Sequence, residues 1–365
     1  MPLPALPTRA DLTGWVVTVV ASTVAALGFD LLALPAAWVS GPMLATAALA
    51  LCGVRVVMPQ QLRQPVLLLL GIAMGAAVTP AVVAELPRWP WTLLGVILTL
   101  PLVMTALMGY YRKLSGADRI TAFMASVPGS LGFVLALAIE VKADVRQVAL
   151  VHAIRLFLLV LILPVVVTMG GAMATVAPAA ARLSHDPGQI AVLIGASLAL
   201  GGVLHLCRMP SSLMVGGMIG SAVLHGTGLS HATLPQPVLS GCLLVLGAMI
   251  GTRFAGTPPR QLLQMLPTAV GGTLIAAVLA TGLAALVGWL TGFGFGQMVM
   301  AYAPGGLEAM VFVAMALGYD PAFVGGHHLF RVLFTAFALP LVVRVMFPEL
   351  RTGKKTARTE DPPGG

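Results

Sequence analysis

One segment of this chain occurs twice, and the charges it carries leave few folds open. Residues 128–164 (PGSLGFVLALAIEVKADVRQVALVHAIRLFLLVLILP) and 304–340 (PGGLEAMVFVAMALGYDPAFVGGHHLFRVLFTAFALP) align at a constant offset of 176 with no gap. Ten of the 37 positions are identical: Pro128/Pro304, Gly129/Gly305, Leu131/Leu307, Ala138/Ala314, Asp144/Asp320, Val148/Val324, His152/His328, Arg155/Arg331, Leu163/Leu339 and Pro164/Pro340. Chance matches of Leu, Ala and Val are cheap in apolar sequence. A shared Pro-Gly followed by Asp-x7-His-x2-Arg-x8-Pro is not. The chain is an internal duplication, and a repeat is the first thing a fold must accommodate.

The rest of the sequence says where that repeat lives. Only 9% of residues are charged and 58% are hydrophobic, against about 25% charged in soluble domains. Apolar runs of 18 or more recur, each able to cross a hydrocarbon core roughly 30 Å thick. Alternating strand patterns are missing and Ala and Leu dominate, so the spanning element is the helix. The net charge of +8 is spread over short loops and the tail, as in residues that orient a membrane protein, and does not point to nucleic acid. Cys52, Cys207 and Cys242 have no metal or disulfide spacing. The opening MPLPALPTRADLTG carries no cleavable signal pattern. The tail after Phe347 reads as basic and disordered.

The expected organisation is an N-terminal segment (1–12), membrane repeat 1 (13–176), a linker (177–188), membrane repeat 2 (189–347) and the tail (348–365). Spans are expected at about 13–34, 36–54, 64–84, 90–111 and 145–172. The second set is about 189–206, 211–228, 236–256, 264–290 and 321–347. Gly71 and Gly75 are answered by Gly247 and Gly251, small-xxx-small pairs that let helix backbones approach. Each half thus has five clear spans and one doubtful segment around its Pro-Gly. Six spans would make the repeats parallel, and five would invert them. With the amino terminus cytoplasmic, five spans leave only Arg88 and Arg182 outside; six spans bring Arg182 inside but leave Arg88, Lys142, Arg146, Arg208, Arg253 and Arg260 outside. Lys and Arg in short loops resist translocation, which favours five. The expected fold is therefore an all-α polytopic membrane protein with two inverted repeats. Each has five spanning helices plus one broken or re-entrant segment, and both termini are cytoplasmic. A broken helix that crosses fully is the alternative.

The chemistry is expected at the breaks. Nine helical residues before Val127 rise about 13.5 Å, near half the membrane. A helix restarting after a glycine break aims unpaired N–H groups and a positive dipole end inward, and transporters place substrate at such ends. The candidate substrate-binding residues are Pro128, Gly129, Ser130, His152 and Arg155 in the first copy. In the second they are Pro304, Gly305, Gly306, Glu308, His328 and Arg331. Arg155 and Arg331 fall near mid-membrane, where an arginine is costly and needs partners. They and their histidines either brace the broken helices or also meet a solute. Glu308, whose counterpart is Gly132, can bind a proton or cation, or pair with Arg331. Asp144 and Asp320 read as helix caps, with an ion site as the alternative. Ser40, Ser211 and Ser212 offer hydroxyls to a site or to their own backbone. No metal cluster, phosphate loop or nucleophile-base set is present, so no catalytic residue, metal or cofactor is expected.

The doubled module resembles the bacterial AbrB-type membrane proteins. Its marks are P-x5-G-[PG]-M early and PG-x14-D-x7-H-x2-R-x8-P late, and the likeness covers about residues 13–346. This is not the soluble DNA-binding protein of the same name. The resemblance implies a bacterial inner-membrane protein of a family labelled as regulators or ammonia monooxygenases, and it brings no site residues with it. A DNA reader needs a soluble domain and a monooxygenase a metal or cofactor site, and the sequence supplies neither. The residues favour a secondary transporter or permease for a small polar or anionic solute. A membrane-embedded sensor acting indirectly on gene expression is the alternative, and a membrane monooxygenase comes third. The expected partners are a small solute and the lipid bilayer, with no nucleic acid; a homodimer is compatible with the sequence.

Overall fold

The computed structural model describes residues 9–34, 36–78, 84–129, 131–169, 186–207, 209 and 211–347. Among these, fourteen α-helices and no strand are found. In the first half they are α1 (Arg9–Leu31), α2 (Ala37–Leu51), α3 (Arg63–Gly75), α4 (Trp89–Leu114), α5 (Arg119–Ser126), α6 (Leu131–Glu140) and α7 (Val145–Met169). In the second they are α8 (Pro187–Leu206), α9 (Ser212–Gly226), α10 (Gln236–Gly251), α11 (Pro259–Thr291), α12 (Phe295–Tyr302), α13 (Leu307–Ala316) and α14 (Pro321–Met346). Among the described residues, seven helical stretches are long and apolar enough to cross a membrane: Asp11–Leu31, Leu86–Leu114, Val145–Thr168, Pro187–Leu206, Gln236–Phe254, Pro259–Thr291 and Pro321–Met346. Helix α3 stops at Gly75, short of the expected 84, and 79–83 lie outside the described residues.

Small residues decide which helices touch. A Cβ built on Gly71 or Gly75 would collide with the carbonyls of Met214 and Met218, so α3 lies backbone to backbone against α9. Gly247 and Gly251 meet the carbonyls of Val39 and Met43 in the same way, joining α10 to α2. Residue numbers rise together in both contacts, so each pair runs parallel. Two hydroxyls tie the pairs: Ser221 donates to Ile72 O at 2.8 Å, and Thr46 reaches Ala248 O at 3.4 Å. Helices α4 and α11 run antiparallel, because Gly95 faces Val287 while Gly271 and Gly272 face Tyr110 and Tyr111.

The two short-helix pairs return to the level they start from. Helix α5 begins beside the start of α7, where Thr121 Oγ1 accepts from Asp144 N at 2.9 Å. Its far end reaches His152 and Arg155, two to three turns along α7. Helix α6 then ends at Glu140, four residues before α7 begins, so it must run back. The second half repeats this, with Gly296 of α12 against Tyr319 and Ala303 against Arg331. The largest apolar core forms around α12 and α13, where Met298, Met300, Met310 and Phe312 are fully buried with Leu70, Met74 and Phe323.

Candidate functional site

In the second half, proline creates a need that a buried histidine meets. Pro304 has no N–H, so Met300 O loses its expected helical partner. His328 Nε2 takes that place at 2.9 Å, and its Nδ1 accepts from Arg331 Nη2 at 2.8 Å. The Arg331 guanidinium also donates to Ala303 O at 2.6 Å and Gly305 O at 2.5 Å. In the first half, Arg155 Nη2 donates to Val127 O at 2.9 Å, and Nη1 reaches Ala125 O at 3.5 Å. His152 Nε2 lies 3.0 Å from Val127 O and Nδ1 2.9 Å from Val148 O, of which a neutral ring donates to one. All four side chains are buried. A planar guanidinium suits this task because its donors diverge toward two carbonyls at once.

The two breaks meet. Pro128 and Pro304 line one small void with Arg331. Gly129 approaches Thr335 of α14, while Gly306 approaches Leu156 of α7, so each tip leans on the other half. Beside them lies a cavity of about 300 Å³. Gly129, His152 and Arg155 reach it from the first half, with Pro304, Gly305, Gly306 and Glu308 from the second. Its mouth is formed by Gln60, Arg63, Ser211, Thr252 and Arg253, at the ends of α3, α9 and α10.

The cavity is electropositive. Among the described residues, Arg63, Arg155 and Arg253 line it against a single carboxylate, Glu308. Glu308 Oε1 accepts from Arg63 Nη2 at 2.7 Å and from Ser211 Oγ at 3.4 Å. Arg253 feels both Glu308 and Arg63 but, among the described residues, makes no hydrogen bond or ion pair. Helix α13 adds to this. Leu307, Glu308 and Ala309 form its first turn and line the cavity, and the N–H groups of a first turn have no partner within the helix. Such an end favours an anion.

Most of the sequence-derived candidates converge on this place, but not with one role. His152, Arg155, Gly129, Pro304, Gly305, Gly306 and Glu308 line the cavity; Pro128 lines only the small void. Arg331 faces that void and His328 neither space, so these two brace the tip from behind. Ser130 lies outside the described residues. Glu308 pairs with Arg63 and not with Arg331. Asp144 and Asp320 are caps, accepting from Gln147 N at 3.0 Å and Ala322 N at 2.8 Å. Burial pushes the Asp320 carboxyl above its ordinary range. Arg63 and Arg253 read in the sequence only as loop charges. Neither has a basic equivalent in the other half, where Leu239 and Ala77 stand, and that asymmetry was the available signal.

The helices and the doubled break define a polytopic helical membrane protein with an internal cation-lined cavity. Residues 38–347 match the family described as "Transition state regulatory protein AbrB", and the chain belongs to that family, in its membrane form and not the soluble one. It is 27% identical over 349 residues to "Putative regulator AbrB" of Escherichia coli K12, covering 92% of this chain and 98% of that protein. It is 29% identical over 301 residues to "Uncharacterized protein YhjN" of Bacillus subtilis 168, covering 76% and 77%.

Proposed function

We propose that this protein is a secondary transporter of the bacterial inner membrane that carries a small organic anion. The observation that carries the reading is the cavity of about 300 Å³ reached by both Pro-Gly breaks, with three arginines facing one carboxylate. An anion entering it meets Arg253, which pairs with none of the described residues, the first turn of α13, and Arg63, for which it competes with Glu308. The size suits a solute of a few carbons rather than a peptide.

Two inverted repeats of five spans, each with a re-entrant hairpin, form the scaffold of this proposal. The antiparallel run of α4 against its equivalent α11 supports inversion. So does the pairing of α2 with α10 and of α3 with α9: if α2 and α3 cross in opposite directions, α2 and its equivalent α9 do too. The return of α6 and α13 to their starting levels supports the hairpins. With the amino terminus cytoplasmic, the mouth at Arg63 and Arg253 faces the cytoplasm. Arg155 lines this cavity while its equivalent Arg331 is walled off. Transport by exchange between repeats would swap these two environments.

The test is a thermal-shift screen of small mono- and dicarboxylates on the purified protein, followed by uptake of the best hit into proteoliposomes. Saturable uptake that falls at least ten-fold in Arg253→Gln is the expected result. No binding by any anion, or uptake untouched by Arg253→Gln and Glu308→Gln, overturns it. Binding without uptake would instead favour the membrane-sensor reading, with which the relative named as a regulator is in keeping.

A further inference from the structure

A second, apolar hollow of about 300 Å³ opens on the flank between α4 and α14. Pro101, Met104 and Met108 form one wall, and Ala338, Val342 and Met346 the other. Phe123 of α5 also lines it, so the groove lies against the hairpin that carries the first Pro-Gly break. Its two hydroxyls are committed to their own helices: Thr105 donates to Pro101 O at 2.7 Å and Thr335 to Arg331 O at 2.8 Å. Neither hydroxyl has a proton left to donate to a polar ligand.

Its length and its ends have a physical match. The groove follows α4 from Ile97 to Met108, a rise of about 16 Å. Half of a hydrocarbon core roughly 30 Å thick is about 15 Å. The inner end starts at Thr335, beside the Gly129 break. The outer end stops at Met108 and Met346, where the apolar stripe of α4 gives way to Arg112 and Lys113 in its last turn. Arg344 is in the last turn of α14, and Arg119 lies over the Phe347 ring at 5.2 Å. Arg112, Lys113, Arg119 and Arg344 are all exposed, and Asp118 is the acid beside them. The groove is thus one leaflet deep, with Arg112, one turn beyond Met108, and Arg119, one turn before Phe123, at its polar rim.

We infer that this groove is a binding site for an anionic phospholipid. An acyl chain fills the space between α4 and α14, and the phosphate rests on Arg112 and Arg119. The site is separate from the cavity and does not depend on what the cavity carries. Because the chain packs against Phe123, an occupied groove also presses on the hairpin that carries Gly129.

The test uses the full-length protein in detergent, with retained lipid counted by native mass spectrometry and stability followed by thermal unfolding. The probes are phosphatidylglycerol and phosphatidylcholine with identical acyl chains. Phosphatidylglycerol should be retained at least ten-fold better, and it alone should raise the melting temperature. Each basic residue near a headgroup is worth roughly a five-fold change in affinity, so R112Q/R119Q should bring the two lipids to parity. Ala338→Phe fills the groove with the charges intact and should also remove the preference. Equal retention of both lipids by the wild type overturns the inference, and so does a preference surviving both variants. A dimer that Ala338→Phe dissociates would identify the occupant as a second copy, and would equally overturn it.

Discussion

The four buried arginine and histidine side chains that reach the breaks sit where a membrane protein can least tolerate them, yet they divide by what their hydrogen bonds satisfy. Arg331 spends its guanidinium on Ala303 O, Gly305 O and His328 Nδ1. Removing it strands buried carbonyls, at about 1–3 kcal/mol each. Arg331→Ala should therefore lower the melting temperature sharply in detergent. Arg331→Lys should rescue little of it, because one ammonium cannot reproduce the divergent fork. Arg253 makes no hydrogen bond or ion pair among the described residues, so Arg253→Gln should melt within a degree or two of the wild type while losing anion binding. Equal destabilisation by the Arg331 and Arg253 changes would refute this division between bracing and binding.

Among the elements, the two parallel pairs α3–α9 and α2–α10 hold the halves together through glycine. The same helix provides its own control. In α10, a Cβ on Gly241 meets nothing, whereas one on Gly247 meets Val39 O. Gly241→Ala should stabilise by about 0.5–1 kcal/mol through helix propensity. Gly247→Ala should destabilise despite the same gain, since backbone at the contact cannot move aside, and Gly247→Val should prevent assembly. Thermal melts of the three variants would check the order. Indifference at Gly247 would mean that the α2–α10 contact does not hold in the protein.

For the whole molecule, the decisive property is which way the second half faces. Glu140 and Ala316 are equivalent positions at the ends of α6 and α13, and both are exposed. In a chain freed of Cys52, Cys207 and Cys242, single cysteines there should label from opposite sides of the membrane. Glu140→Cys should react with an impermeant maleimide only from the cytoplasm, and Ala316→Cys only from outside. Labelling from one side at both positions would make the repeats parallel and remove the basis for exchange between two cavity orientations.

Much of this architecture is written in local pattern. The constant offset of 176, the Pro-Gly breaks and the Asp caps depend on residues close in sequence, so α5, α6 and α7 reappear as α12, α13 and α14 with starts 176 apart. The cost of burying Arg155 and Arg331 also announced that each needs partners, because that cost belongs to the residue wherever it lands. The cavity was less legible. Arg63 and Glu308 are 245 residues apart, and no local rule links a loop cation to a half-helix of the other repeat. Only the close glycine contacts of α3 with α9 and of α10 with α2, packed around the two hairpins, bring Arg63, Ser211 and Arg253 over the breaks. The same packing left Arg155 facing the cavity and Arg331 walled off, although they hold equivalent positions in the repeat. Periodicity and backbone valence act over a few turns of helix. Which of two matching sites is open depends on how the halves pack, and that is a property of the assembled bundle.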